Sequence, residues 1–191
     1  GARILKEKYS IEFKFILYVG TLTHPQKNLM RLIRAFKVVK SSGYKGKLVL
    51  VGNPGKGSNL IFSEIAKNNL ETEVFQPGYV SDEDLKHFYS MADLFVFPSL
   101  YEGFGLPVIE AMSWECPVLT SNNSSLGEIA NNYVKTFNPY KIDELITEMK
   151  LILVFNENTT NQILKGKERA RDFDWRNSAE KFLSIINKFE I

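Results

Sequence analysis

Cysteine and histidine are scarce in this sequence. Its 191 residues contain one cysteine, Cys116, and two histidines, His24 and His87. A single cysteine cannot form an internal disulfide, which favours a reducing compartment. Because cysteine and histidine are also the usual ligands of structural zinc, we predict that the protein holds no metal.

Long apolar runs and a strong charge of one sign are also missing. No stretch approaches the roughly 18 to 20 apolar residues that a membrane-spanning helix requires. The net charge is +2 at pH 7, and no basic cluster with interleaved aromatic residues occurs, so the composition does not indicate a nucleic-acid partner. With 44% hydrophobic residues, the chain is long enough for one well-cored domain and short for two.

Short apolar runs alternate with amphipathic segments along the chain. The runs that predict strands are residues 13–19, 48–51, 74–75, 94–97, 117–120 and 133–137. This alternation predicts an α/β fold of three layers, in which helices cover both faces of a Rossmann-like, doubly wound parallel sheet of about six strands. The commonest order of such a sheet is 3-2-1-4-5-6, which brings the loops after strands 1 and 4 to a ligand-binding crevice.

The helix predicted after the first strand has the clearest amphipathic pattern. Asn28 is its predicted N-cap. Its apolar positions fall on one face, as expected for a helix that covers a sheet. They are Leu29, Leu32, Ile33, Phe36 and Val39.

Three further local predictions concern the N-terminal segment, a helix cap and the C-terminal part, and they rest on less regular patterns. Residues 1–12 are polar and charged, lack a clear period, and are predicted to be a lead-in segment or a severed linker. Ser81 and Asp84 stand in the spacing of a capping box, with Ser81 as cap and Asp84 as reciprocal acceptor. The C-terminal part is predicted to be helical, with breaks near Asn156–Asn161 and Asp172–Asp174.

The stretch from Pro98 to Met112 combines the signals of a loop and a helix start. Pro98 ends the preceding apolar run, because proline cannot donate to a sheet. Gly103 and Gly105 then let backbone amides approach a ligand, and Pro107 fits the first turn of a helix. A glycine loop that leads into a helix N-terminus predicts a site for an anion such as phosphate.

Two glutamates in this stretch add hydrogen-bond acceptors. Glu102 lies in the loop and Glu110 in the predicted helix. Carboxylates accept hydrogen bonds from hydroxyl groups. A diphosphate attached to sugars would satisfy both the phosphate-binding loop and these acceptors.

The same residues resemble a known family. Pro98 to Met112 follow the pattern P-S-x-x-E-G-F-G-L-P-x-x-E-A-M, which looks like the donor-site signature of retaining glycosyltransferases of family 4 with the two-domain GT-B fold. A second segment, from Gly20 through Lys27 to Phe36, is also similar to that family. The resemblance spans about 18–139, and Trp175 matches a frequent tail element.

The resemblance implies a role for each matching residue. Lys27 would hold the diphosphate and Glu102 would lie near the donor sugar, which makes them the expected catalytic residues. Glu110 would accept hydrogen bonds from the ribose. The complete implied donor site consists of Gly20, Thr21, Lys27, Tyr79, Val80, Glu102, Gly103, Phe104, Gly105, Leu106 and Glu110.

Each role has a plainer alternative. Lys27 could be an exposed lysine, although a cation directly before a helix is disfavoured by the helix dipole and suggests a compensating anion. Glu102 could be a solvated loop acid, and Glu110 could only offset the dipole of its own helix. Tyr79 and Val80 match the position that contacts the nucleotide base in relatives, but they could equally be turn residues.

The match departs from the family pattern at three positions. Thr21 stands where many relatives have an arginine that assists the lysine, so diphosphate binding would depend on one cation. Cys116 replaces a small residue or glycine, and Gly127 replaces a proline before Glu128. These departures concern structural positions and the strength of phosphate binding.

The resemblance covers only the C-terminal, nucleotide-sugar half of a GT-B enzyme. It implies that residues 1–191 form one donor-binding domain, inactive alone, and that the N-terminal acceptor domain is absent from this chain. The whole enzyme would transfer a hexosyl group from a GDP- or UDP-linked sugar to a glycan or lipid-linked acceptor, with retention of configuration and without a metal. We expect a cytoplasmic location or peripheral association with the inner face of the membrane.

The sugar and the class of protein have alternatives. Gly20-Thr21-Leu22 and Lys27-Asn28 are similar to mannosyltransferases of polysaccharide biosynthesis, which implies GDP-mannose. A nicotinamide-binding domain would share the architecture, but no G-x-G-x-x-G follows the first strand. A non-catalytic GT-B-like or other Rossmann-type nucleotide-binding module would also keep the fold.

Overall fold

The computed structural model describes residues 1–154 and 159–188. Within them, six strands form one parallel sheet in the order β3-β2-β1-β4-β5-β6. The predicted parallel sheet and its strand order are therefore confirmed. The strands are β1 Phe15–Val19, β2 Lys47–Val51, β3 Val74–Gly78, β4 Leu94–Phe97, β5 Val118–Ser121 and β6 Lys135–Phe137.

Nine helices occur in the same described ranges. They are α1 Ala2–Tyr9, α2 Leu29–Ser41, α3 Ser58–Lys67, α4 Asp82–Met91, α5 Leu106–Ser113, α6 Ser124–Ala130, α7 Ile142–Leu153, α8 Thr160–Arg171 and α9 Trp175–Ile186. α2 packs against α3 and α7, whereas α5 packs against α4, α6 and α8. These two groups flank the sheet and give the predicted three layers.

The central strands are apolar on both faces because helices cover both. Every residue of β1 and of β4 is buried. The predicted apolar face of α2 is also confirmed, since all five of its residues are buried against the core. The 3.6-residue period of that helix therefore indicated its packing correctly.

The N-terminal segment is a helix packed against the domain, so the prediction of a lead-in segment or a linker there was wrong. α1 buries Leu5, and the ring of Tyr9 lies edge-on to that of Phe88 with centroids 5.0 Å apart. Lys8 Nζ and Tyr9 Oη each donate a hydrogen bond to the Asp84 carboxylate. Contacts with α4 stabilise α1, and such contacts leave no local sequence period.

These contacts also correct the predicted capping box. Ser81 Oγ accepts a hydrogen bond from the Asp84 amide at 3.3 Å, so Ser81 caps α4 as predicted. The Asp84 carboxylate accepts from Lys8 and Tyr9, and no hydrogen bond from the Ser81 backbone amide to it is found among the described residues. The hydrogen bonds from Lys8 and Tyr9, with that of Lys8 the largest cause, lower the pKa of Asp84.

The C-terminal part is helical, as predicted. The predicted break at Asp172–Asp174 separates α8 from α9, whereas the break predicted near Asn156–Asn161 lies partly outside the described residues. Among the described residues of α9, none is buried. No described helix combines the length and the apolar character needed to cross a membrane.

Candidate functional site

The loops after β1 and β4 meet at the carboxyl edge of the sheet. β1 pairs with β4, so both loops begin on neighbouring strands. The Leu100 amide donates to the Gln26 carbonyl at 2.8 Å, and Gln26 Nε2 donates to the Tyr101 carbonyl at 3.2 Å. The crevice predicted from the strand order is therefore bordered by both sequence motifs.

The two residues predicted to be catalytic form an ion pair across these loops. Lys27 Nζ lies 2.5 Å from Glu102 Oε1, and the two side chains are 17% and 13% exposed. Lys27 Nζ also lies 5.4 Å from the centre of the Phe97 ring. In this structure the negative charge beside Lys27 is the carboxylate of Glu102. The sequence had suggested a diphosphate for that place.

Asn28 occupies the N-cap position of α2 but does not cap the helix with its side chain. Its backbone is left-handed, with φ of 56°, and its side-chain Nδ2 donates to the carbonyls of Pro98 and Pro139 at 3.0 Å each. Its side-chain oxygen accepts from Arg31. Asn28 therefore joins three loops at the carboxyl edge, a role that the prediction of a simple cap missed.

The loop that carries Glu102 is also held from α6. The Glu102 amide donates to Ser124 Oγ at 3.2 Å, and Ser125 Oγ donates to the Glu102 carbonyl at 2.9 Å. Asn123 Nδ2 donates to the Leu100 carbonyl at 2.6 Å. These polar residues fix the backbone on both sides of Glu102, and the sequence signal for them is the run of Asn and Ser after β5.

The backbone amides of Gly103 to Leu106 have no hydrogen-bond partner among the described residues. Gly105 is buried and has φ of 126°, and a Cβ there would lie 2.6 Å from Leu126 Cδ2, so glycine is required. α5 begins directly afterwards, with Pro107 in its first turn. Unpaired amides at a helix start are the donors that phosphate oxygens accept from.

Glu110 lies in α5 and is partly buried. Tyr89 Oη, on α4, donates a hydrogen bond to Glu110 Oε2 at 2.8 Å. Tyr89 is 1% exposed, and burial, followed by the charge of Glu110, raises the pKa of its phenol. Sequence reasoning missed Tyr89 because a tyrosine on an amphipathic helix resembles an ordinary core residue.

The other predicted donor-site residues lie around Lys27, Glu102 and Glu110, beginning with Gly20 and Thr21 after β1. Gly20 continues the sheet by donating to the Val51 carbonyl, and the Thr21 carbonyl accepts from Tyr18 Oη at 3.3 Å. Burial, followed by the charge of Glu102, raises the pKa of Tyr18. This deeply placed phenol therefore remains a hydrogen-bond donor beneath the crevice.

Tyr79 and Val80 follow the edge strand β3. That strand lies two positions from β1 in the sheet, or roughly 10 Å at the usual strand spacing. Tyr79 is exposed and Val80 is buried. They could reach only the far end of an extended ligand that also contacts Lys27.

Phe104 and Leu106 are about half exposed, and Phe104 packs edge-on against Phe173 at 5.8 Å. At Gly103 a Cβ would meet no described atom within 4 Å, so packing of the described chain does not require glycine there.

In the described residues, no group of three or more His, Cys, Asp and Glu side chains is placed to hold a metal ion.

Comparison with known proteins identifies the family. The family model described as "Glycosyl transferases group 1" matches residues 3–169. The chain belongs to this glycosyltransferase family. It is 32% identical over 173 residues to O-antigen chain mannosyltransferase B of Escherichia coli, covering 90% of the chain and 45% of that relative. It is 31% identical over 180 residues to a serotype-specific mannosyltransferase, WbdA, of the same organism, covering 92% of the chain and 22% of that relative.

This glycosyltransferase domain has the fold of about half of each of two solved structures of the GT-B type. Sucrose-phosphate synthase from Thermosynechococcus elongatus superposes with a TM-score of 0.84 at 24% identity, over 97% of the chain and 48% of that structure. Anabaena HepE in complex with UDP superposes with a TM-score of 0.84 at 18% identity, over 98% of the chain and 52% of that structure. The chain spans less than half the length of the two mannosyltransferases that it matches.

Proposed function

We propose that this chain is the donor-binding domain of a retaining hexosyltransferase that uses a nucleoside-diphosphate sugar. The observation that carries the proposal is the Lys27–Glu102 pair beside the unpaired amides of Gly103 to Leu106, at the start of α5. A fixed cation, free amides and a helix N-terminus together suit a diphosphate. A carboxylate in the same place suits the hydroxyl groups of a sugar.

Lys27 would stabilise the departing diphosphate during transfer. Negative charge grows on the leaving group as the glycosidic bond breaks, and preorganised donors that meet this charge lower the barrier. The lysine ammonium has three donor hydrogens, and among the described residues it makes one hydrogen bond, to Glu102. Lys27 can therefore keep Glu102 and still donate to a phosphate oxygen.

Charge balance makes the backbone amides important. Lys27 and Glu102 cancel, so no net positive side-chain charge remains in this pair for a diphosphate. The amides of Gly103 to Leu106 and the positive end of the α5 dipole supply the remaining attraction. These groups would also replace the metal ion that other glycosyltransferases use, so we predict metal-independent binding.

Glu110 would bind the ribose of the donor nucleotide. Its position in α5 places a carboxylate beyond the phosphate loop, and Tyr89 engages only one of its oxygens. Within the described residues, Oε1 has no hydrogen-bond partner. Paired ribose hydroxyls are suitable donors for such a carboxylate.

We further propose mannose as the transferred sugar, from GDP-mannose to a glycan acceptor. The support is that the two relatives described above are named mannosyltransferases. The acceptor site would lie in a part of the whole protein outside this chain. Water exclusion and acceptor binding both need that part, so we expect the isolated chain to bind nucleotide without transferring sugar.

Isothermal titration calorimetry with GDP, UDP and GDP-mannose tests the proposal. We expect binding in EDTA that magnesium does not strengthen. Glu110→Ala should weaken binding by about 10- to 100-fold, as expected for a charge-assisted hydrogen bond of about 1.5 to 3 kcal/mol. Glu115→Ala is the matched control, because Glu115 follows the same helix but pairs with Lys167 at the surface. Magnesium-dependent binding, or an unaffected Glu110→Ala variant, would contradict the assignment.

A further inference from the structure

The apolar packing of Tyr89 does not require its hydroxyl group. Tyr89 is 1% exposed, and its ring lies edge-on to that of Phe95 with centroids 5.4 Å apart. A phenylalanine would make the same apolar contacts, and burial of a hydroxyl is costly unless it is hydrogen-bonded. The only hydrogen bond of this hydroxyl among the described residues is the one to Glu110 Oε2, at 2.8 Å.

The direction of this hydrogen bond is fixed by chemistry. An ionised carboxylate only accepts, so the phenol must donate. Burial, together with the negative charge of Glu110, raises the pKa of Tyr89. The phenol therefore stays protonated through the neutral range and always offers its hydrogen to Oε2.

A fixed carboxylate is a better ligand group than a mobile one. A glutamate side chain loses considerable rotamer entropy when it is immobilised. Tyr89 removes that freedom before any ligand arrives, and such preorganisation increases affinity. The bond leaves Oε1 as the oxygen that is free to accept from a ligand.

We propose that Tyr89 is a positioning residue that orients Glu110 toward the ribose and so sets the preference of the site for ribonucleotides over deoxyribonucleotides. This inference rests on the proposed function, in which Glu110 accepts hydrogen bonds from the ribose hydroxyls. It adds a residue of α4 to a site otherwise built from the loops after β1 and β4 and from α5.

The molecule contains a matched control for this tyrosine. Tyr44 is also buried and donates to a carboxylate, Asp93 Oδ2, at the same distance of 2.8 Å. Asp93 directly precedes β4, so this pair lies at the amino edge of the sheet, opposite the site. Tyr44→Phe removes the same kind of hydrogen bond without touching the crevice.

The test is calorimetry of the 191-residue chain with GDP and 2′-deoxy-GDP, and with UDP and 2′-deoxy-UDP as a second pair. For the parent we expect the ribonucleotide to bind about tenfold more tightly, as expected for one hydrogen bond to a charged group. Tyr89→Phe should reduce that preference to about twofold by weakening only the ribonucleotide. Tyr44→Phe should leave it unchanged while lowering the midpoint of thermal unfolding.

The variant Glu110→Asp keeps the inference testable if Tyr89→Phe folds poorly, and a double-mutant cycle adds a test where Tyr89→Phe folds. Glu110→Asp keeps the charge but shortens the side chain, so it cannot reach both Tyr89 and the ribose, and it should lose the preference as well. In a double-mutant cycle, Tyr89→Phe should have no further effect on nucleotide affinity once Glu110→Ala is present.

The outcomes separate this inference from the proposed function. An unchanged ribose preference in Tyr89→Phe or in Glu110→Asp, with that preference abolished in Glu110→Ala, would overturn the role of Tyr89 and leave the proposed function standing. A parent chain that binds no nucleotide, or a Glu110→Ala variant that keeps the full preference, would instead overturn the proposed ribose role itself.

Discussion

Helix α2 has a lysine–glutamate pair at each end, and the two pairs differ in how well they suit the helix. Lys40, in the last turn, lies 2.8 Å from Glu73 Oε2, where the negative end of the dipole favours a cation. Lys27 precedes the first turn, where the positive end disfavours one, and it pairs with Glu102. The helix dipole therefore favours the position of Lys40 and disfavours that of Lys27.

The difference agrees with the proposed role of the Lys27–Glu102 pair. Lys40 also donates to the Gly46 carbonyl, and with Glu73 before β3 it ties the amino edge of the sheet together. Lys27 and Glu102 lie on two loops at the carboxyl edge, beside unpaired amides. A cation that the dipole disfavours, next to amides without partners among the described residues, is expected where an anionic ligand binds in addition to Glu102.

The largest change in nucleotide affinity should come from replacing Lys27, with the replacement of Lys40 as its comparison. Lys27→Ala should weaken binding of GDP or UDP by about 30-fold, because one charge-assisted contact to phosphate is worth about 2 kcal/mol. Lys40→Ala should leave it unchanged. Guanosine and uridine, which lack phosphate, should bind both variants like the parent. Calorimetry measures all these affinities, and equal losses in the two lysine variants would erase the contrast between the helix ends.

Replacing Glu102 should strengthen nucleotide binding, the opposite of the effect of replacing Lys27, whereas replacing Glu73 should not change it. Glu102→Gln takes a negative charge away from the diphosphate and frees Lys27, so we expect about fivefold tighter nucleotide binding. Glu73→Gln should have no effect on affinity. The same calorimetric titrations apply. Weaker binding in Glu102→Gln would mean that Glu102 contacts the nucleotide directly.

A third pair, in the middle of α2, sharpens the comparison through its pH dependence. Arg34 Nε lies 2.7 Å from Glu64 Oε1, and this hydrogen bond is the main cause that lowers the pKa of Glu64. A lowered folded-state pKa stabilises the fold above the ordinary carboxyl pKa, and the gain is lost as pH falls through the folded value. Glu64→Gln should cost about 1 kcal/mol at pH 7, because Arg34 is half exposed, and less at pH 3, which lies below the ordinary carboxyl pKa.

Denaturant unfolding at the two pH values measures this effect. Arg31→Gln is a suitable control, since Arg31 lies on the same helix and contacts the neutral Asn28. A cost for Glu64→Gln that is as large in acid as at neutral pH would exclude a charge effect.

The smallest effect should follow from replacing Lys27 and Glu102 together. In the double variant Lys27→Met/Glu102→Gln, both charges disappear while the side-chain volumes stay similar. We expect the free energy of unfolding to change by less than about 0.5 kcal/mol, since the desolvation of such a pair offsets its attraction. Either single variant should destabilise the fold more. A double variant that is much less stable than the parent would show that the pair is structural.

Much of the fold was predictable because it depends on simple periods. All six strands and the buried face of α2 followed from apolar runs and a 3.6-residue repeat. α1 was missed because one buried leucine, Leu5, and an ion pair to Asp84 stabilise it. Those contacts join residues far apart in the chain, and no local pattern records them.

The site was predictable in its loops but not in its internal contacts. The strand order correctly placed Lys27 near Glu102, although the sequence could not show that they pair. Asn28 was predicted to cap a helix, yet it bridges loops instead, because the same amide suits both tasks. Tyr89 was not anticipated, since a hydroxyl matters only when its partner is known.

The exposure of the tryptophans has an optical consequence. The sequence contains two, Trp114 and Trp175, and they are 47% and 86% exposed. Their fluorescence should already resemble that of an unfolded chain, so emission will report the unfolding of this domain poorly. The same property makes Trp175 a sensitive probe, because any protein or lipid surface that covers α9 would shift its emission to the blue.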